Sequence, residues 1–171
     1  LIRQQLGFKK IKVGHAGTLD PLATGLMIIC TGKLTKQIET LMGMDKEYVA
    51  AVTLGSTTPS YDLETEPDRF FETGHLTAEG LEAALTGFLG VQMQTPPLFS
   101  AIRVNGKRAY EHARKGSDME LQQREVEFKE LELITFNPPV AQIRILCSKG
   151  TYIRSFANDL GKAVESGGHL S

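Results

Sequence analysis

No regular strand–helix–strand rhythm runs through this chain of 171 residues, and that constrains its fold more than any other feature. Strand-type runs cover Leu26 to Thr31, Lys46 to Leu54, Phe99 to Val104, Val126 to Phe136 and Val140 to Cys147, the last two separated by Pro138-Pro139. In the second run Tyr48, Ala50 and Val52 alternate against Val49, Ala51 and Thr53. Helical signals are scattered between them. Ile2 to Leu6 reads as the last turns of a helix ended near Gly7, and a short helix spans about Lys33 to Met42. Leu81, Leu85, Phe88 and Leu89 fall at helical spacing behind Thr77 as N-cap. Lys107 to Lys115 reads as a short basic helix stopped by Gly116. Tyr152 to Val164 sets Ile153, Phe156, Ala157, Leu160 and Val164 on one side, with Gly167-Gly168 ending it. This intermixing favours an α+β fold with a mixed or antiparallel sheet over a doubly wound one.

Irregular segments punctuate these elements. Gly14 to Gly25 is a loop rich in Gly, Thr and Pro, Gly55 to Pro67 is a polar linker, Thr95-Pro96-Pro97 breaks the chain, and Asn105-Gly106 is a turn signal. The length suits one domain, and an apolar fraction of 41% with 23% charged residues is ordinary for a soluble globular protein. Two cysteines, Cys30 and Cys147, make no disulfide framework and lack metal-site spacing. No apolar run approaches the ~20 residues that span a membrane, and no signal peptide is recognisable. A soluble protein of a reducing compartment is the default expectation.

Lys and Arg number 19 against 20 Asp and Glu, a net charge of -1 that speaks against a uniformly basic nucleic-acid binder. The distribution is uneven. Residues 1–14 carry Arg3, Lys9, Lys10 and Lys12 with no acid. Residues 60–85 carry Asp62, Glu64, Glu66, Asp68, Glu72, Glu79 and Glu82 against Arg69. Residues 99–117 carry Arg103, Lys107, Arg108, Arg114 and Lys115 against Glu111, and 144–162 carry Arg144, Lys149, Arg154 and Lys162 against Asp159. Such blocks are ordinary surface scatter unless the basic ones share a face, which would then bind phosphates.

Chemistry concentrates in Gly14-His15-Ala16-Gly17-Thr18-Leu19-Asp20-Pro21-Leu22-Ala23-Thr24-Gly25. Its glycines permit close approach of a ligand, and Pro21 restricts Asp20 to extended conformations that aim its carboxylate outward. No Gly-Lys-Ser/Thr ending makes it a phosphate loop. An Asp before Pro is more often a turn residue than a catalyst, and a loop histidine such as His15 is more often surface than base. His75, His112 and His169 are scattered, so no metal site is expected. Tyr48 is either a half-buried strand aromatic or a ring that stacks on a nucleobase. Arg154 sits near a helix start, where the macrodipole disfavours a cation, so it is expected to pair with a carboxylate or phosphate.

The Gly14–Gly25 motif resembles the catalytic motif of the TruB family of pseudouridine synthases. Met44 to Asp62 resembles the family's second block, Thr95 to Gly116 its RNA-gripping insertion, and Cys147 to Gly161 its third block. The four blocks run in order over nearly the whole chain. The resemblance implies a pseudouridine synthase fold, a mixed, mainly antiparallel sheet flanked by helices around a central RNA-binding cleft. It implies one catalytic domain over 1–171 with the insertion at about 96–125 and no PUA domain visible. It also implies family segments before Leu1 and after Ser171, so that this is a catalytic domain with both ends missing.

By the same resemblance Asp20 matches the essential aspartate, Tyr48 the tyrosine that stacks on the target uracil near its C5 proton, and Arg154 the arginine that pairs with that aspartate. Tyr152 matches a further active-site aromatic, and His15 the histidine that displaces the target base. Arg103, Lys107 and Arg108 would grip phosphates. The implied activity is conversion of uridine 55 in the tRNA T-arm to pseudouridine by a cytoplasmic monomer, without metal or organic cofactor. Asp20 would attack C1′ or C6, or remove a sugar proton, and the residues do not choose. Two rival readings are the catalytic subunit of an RNA-guided rRNA-modifying complex and a non-catalytic RNA-binding or folding module.

Overall fold

The structure is a computed structural model of the chain, and it describes all residues except 1, 6, 8, 9, 101, 102, 105, 106 and 110–120, with the side chains of 2, 3, 103, 104, 107 and 108 also outside it. The chain divides into two compact units, 1–45 and 46–171.

The first unit holds helix α1 (Ile2–Gln5), strands β1 (Val13–His15) and β2 (Ile29–Thr31), a 3-10 turn (Gly32–Gln37) and helix α2 (Ile38–Met42). Gly7 ends the first helix in a left-handed conformation, φ 70°, its N–H donating to the Gln4 carbonyl. β1 and β2 pair antiparallel, Gly14 opposite Cys30. The apolar run from Leu26 is strand only from Ile29, with Leu26 largely exposed and Ile28 held by a bond from Ala16 N to its carbonyl at 2.9 Å. The helix expected from Lys33 splits into a 3-10 segment and a short α-helix.

In the second unit lie β3 (Lys46–Leu54), β4 (Ser56–Thr57), β5 (Arg69–Phe70), α3 (Ala78–Phe88), β6 (Gly90–Gln94), β7 (Arg103–Val104), β8 (Lys107–Arg108), β9 (Arg124–Asn137), β10 (Val140–Cys147), α4 (Ile153–Ala163) and β11 (Gly168–Leu170). Five strands form one sheet in the order β11-β3-β10-β9-β6, and every pairing in it is antiparallel. Small pairs β4–β5 and β7–β8 stand apart from it. The fold is therefore α+β, as the irregular element order predicts.

One sheet face makes the core. Ala50, Val52 and Leu54 of β3, Ile143 and Ile145 of β10 and Phe128 of β9 meet Leu81 and Leu85 of α3 and Phe156 and Leu160 of α4. Thr77 caps α3, its Oγ1 accepting from Gly80 N at 3.1 Å. Phe156 packs on Phe128 (5.2 Å between centroids) and edge-on to Phe88 (5.4 Å), geometries that suit ring quadrupoles. On the opposite face Arg144 bridges neighbouring strands, bonding Glu47 at 2.6 Å and Glu130 at 2.8 Å. Those bonds, Glu47 first, raise the guanidinium above its ordinary value.

Two expectations need correcting. Gly167-Gly168 does not end the last helix, which stops at Ala163. The pair instead lets β11 press against α4: a Cβ on Gly168 would stand 2.4 Å from the Ala157 carbonyl, and one on Gly161 would stand 2.3 Å from Gly168 N. Lys107 and Arg108 are strand rather than helix, paired with Val104 and Arg103 across a two-residue connection. That spacing suits the Asn105-Gly106 turn signal. Those two turn residues and most of the expected basic helix lie outside the described residues.

Candidate functional site

In the second unit the site is built on the first turn of α4. Tyr152 is the extended N-cap and offers no side-chain cap. Gln94, the last residue of β6, replaces it: its Oε1 accepts from Tyr152 N at 2.8 Å and its Nε2 donates to the Tyr152 carbonyl at 3.1 Å. Ser155 Oγ adds a bond to the Thr95 carbonyl at 2.7 Å. The helix start is thus fastened to Gln94 and Thr95.

Arg154 follows directly and is 5% exposed. Its Nη1 donates to the Phe99 carbonyl at 2.9 Å and the Ser60 carbonyl at 3.4 Å, and lies 3.6 Å from Asp62 Oδ2. A cation at a helix N-terminus opposes the macrodipole, and the buried carboxylate of Asp62 offsets that cost. The expectation that Arg154 pairs with a carboxylate is met by Asp62, a residue the sequence reading placed only in an acidic block. Both side chains are more than nine-tenths buried. Removing one partner of a buried ion pair is strongly destabilising.

Asp62 is delivered by the segment 55–67, which is not the polar linker that its composition suggests. Ser56, Thr58, Ser60 and Asp62 are all buried. They continue the alternation of β3, so that every even position from Ala50 to Asp62 points inward. Past Leu54 the inward residues are polar, and each finds a partner. Thr58 Oγ1 and Ser60 Oγ both donate to the Asp62 carbonyl (2.7 and 3.1 Å), and Thr65 Oγ1 meets Ser60 N and Ser60 Oγ at 3.1 and 2.8 Å. Asp62 Oδ1 accepts from Glu64 N at 3.0 Å, leaving Oδ2 toward Arg154. Tyr61 adopts φ 63°, a left-handed conformation that costs a tyrosine about 1–2 kcal/mol.

Tyr48 lies on β3 opposite Ile145, half-buried beside the core, and Tyr152 is half-buried at the N-cap. In the first unit His15 ends β1, and its Nδ1 donates to the Gly17 carbonyl. A Cβ on Gly14 would stand 2.6 Å from Ile38 Cδ1, so the end of the Ile38 side chain would have to shift to admit one. Asp20 is exposed, in a turn closed by Ala23 N donating to its carbonyl at 3.0 Å. Arg103, Lys107 and Arg108 have described backbones in the β7–β8 pair, with side chains outside the described set. Among the described residues no group of three or more His, Cys, Asp or Glu is placed to hold a metal ion, and no helix is long and apolar enough to cross a membrane.

Residues 3–153 match the TruB family pseudouridylate synthase (N terminal domain). The chain is 57% identical over 170 residues to "tRNA pseudouridine synthase B" of Phocaeicola vulgatus, and 56% identical over 174 residues to the protein of the same name from Bacteroides thetaiotaomicron. Each alignment covers 99% of this chain and 72% of the relative. Among solved structures, a chain in a Cbf5-Nop10-Gar1 complex is similar with a TM-score of 0.72 and 26% identity, over 99% of this chain and 40% of that one.

Proposed function

The chain belongs to the TruB family of pseudouridylate synthases, and on that premise we propose that it isomerises uridine 55 in the T-arm of tRNA to pseudouridine. The observation that carries this reading is Arg154, a cation buried at a helix start and held in place by Asp62 and two carbonyls. A group fixed at such cost suits a role in presenting charge to a reacting partner better than a role in packing.

The reaction is a balanced isomerisation: the N1–C1′ bond breaks, C5–C1′ forms, the C5 proton leaves and N1 gains one. The target base must first leave its stack, at a cost of a few kcal/mol. Phosphate contacts from Arg103, Lys107 and Arg108 offset that cost, and His15 helps displace the target base from its stack. Tyr48 stacks on the extruded uracil and removes the C5 proton, with Tyr152 completing the wall. Asp20 acts at the nucleoside. The unit of function is a single catalytic domain with its insertion at 96–125, acting as a cytoplasmic monomer.

A second reading, the catalytic subunit of an RNA-guided complex, draws on the likeness to the Cbf5-Nop10-Gar1 structure. Its 26% identity against 57% for the synthase relative favours the first. The test is pseudouridine formation by the full chain on a free T-arm hairpin, with no guide RNA or other protein present. Turnover there supports the first reading, and turnover that appears only with a guide overturns it. Lys107→Ala with Arg108→Ala is expected to weaken hairpin binding and flatten its salt dependence. An unchanged slope removes that segment from the RNA surface.

A further inference from the structure

The segment 55–65 does not hold its shape alone. Gly55 N donates to the Gly167 carbonyl at 3.0 Å and approaches Ser166 Oγ at 3.1 Å. Ser56 Oγ lies 3.0 Å from His169 Nε2, and Leu170 N donates to the Tyr61 carbonyl at 3.0 Å. These bonds join the segment to 166–170, which β11 fixes against β3 and the glycines fix against α4.

The last of these bonds falls on Tyr61, whose left-handed backbone immediately precedes Asp62. A non-glycine residue stays there only where its surroundings over-determine it. His169 is central to that restraint. It is 3% exposed, and its Nδ1 faces the Leu170 carbonyl at 2.9 Å. A carbonyl only accepts, so Nδ1 carries the ring proton, and in the neutral ring Nε2 accepts from the Ser56 hydroxyl. One buried ring therefore grips the start of the segment through Ser56, while the N–H of its chain neighbour grips the far end at Tyr61.

We propose that His169 is a positioning residue for the isomerisation, fixing the turn at Tyr61 and through it the Asp62 carboxylate against Arg154. The proposal rests on reading Arg154 as an active-site group. A displaced reacting group costs of the order of a hundredfold in rate per ångström, so a loosened Asp62 affects chemistry before it affects RNA affinity.

The test measures single-turnover pseudouridine formation and hairpin affinity for the full chain. His169→Ala is expected to slow the chemical step by about ten- to a hundredfold with affinity changed less than about twofold. His169→Gln, whose amide reaches Ser56, is expected to restore most of the rate. In an Asp62→Asn background, His169→Ala is expected to add almost nothing, because residues acting through one contact are not additive. An unchanged rate in His169→Ala overturns the proposal, as does a full additional loss in the Asp62→Asn background. Where His169→Ala does not fold, Ser56→Ala carries the same comparison under the same criteria. If the unaltered chain forms no pseudouridine, it is the functional reading that fails. Hydrogen exchange then decides the clamp alone: faster exchange at Leu170 and residues 61–64 in His169→Ala supports it, and unaltered protection overturns it.

Discussion

Two loops each present an aspartate, and they are built in opposite ways. Asp20 stands exposed in a Gly- and Pro-rich turn that a backbone bond from Ala23 N closes. Asp62 is buried, bonded to its own segment and paired with Arg154. Glycines shape the first loop by permitting unusual angles, as at Gly17 with φ 125°. The second is shaped by partners, with Ser56, Thr58 and Ser60 each satisfied inside the protein. A carboxylate that must reach a substrate suits the first design, and a carboxylate that must hold another side chain suits the second.

The sharpest way to break this contrast is to neutralise each acid. Asp20→Asn is expected to abolish pseudouridine formation while hairpin affinity stays within a few-fold. Near-normal turnover would remove Asp20 from the mechanism. Asp62→Ala is expected to lower both activity and stability, the latter by about 1–3 kcal/mol in denaturant melts, because a buried, hydrogen-bonded carboxylate facing Arg154 is removed. A stability loss under 1 kcal/mol would mean that the Phe99 and Ser60 carbonyls suffice for Arg154 and that the loops are less different than they look. Thr65→Val probes the second loop more gently. It strips Ser60 N of its Thr65 partner while Ser60 Oγ keeps the Asp62 carbonyl, and about 1 kcal/mol is expected for the lost bonds.

The two loops also differ in how far their sequence betrays them. The first is legible because its cues are local: three glycines, a proline and an aspartate within twelve residues. The core strands are legible for the same reason, since the alternation from Tyr48 to Thr53 needs no knowledge of the partner strand. Asp62 hides because its partner lies 92 positions away at Arg154, and a run of Ser, Thr, Pro and Asp looks solvated when its partners are unseen. The available signal was period two: the inward even positions of β3 run on through Ser56, Thr58 and Ser60 to Asp62. Gly167-Gly168 misleads similarly, since its close approach to Gly161 and Ala157 is a tertiary fact that imitates a helix stop.

Alanine at one glycine of each loop separates the two designs at their smallest scale. Gly17 and Gly55 both hold positive φ, 125° and 90°. Nothing lies within 4 Å of a Cβ built on Gly17, whereas one on Gly55 would stand 2.5 Å from Thr73 Cγ2. Gly17→Ala therefore meets only the backbone preference, about 1 kcal/mol where the conformation is kept, and an exposed turn can relax part of that away. Gly55→Ala meets the same preference and a clash besides, with its N–H tied to Gly167 and Ser166, so relaxation would break those bonds. The expected result in parallel denaturant melts is a loss for Gly55→Ala at least twice that for Gly17→Ala, since overpacking alone typically adds about 1–3 kcal/mol. Equal losses would show that the second loop yields as easily as the first, and that burial at Asp62 is not what keeps the segment rigid.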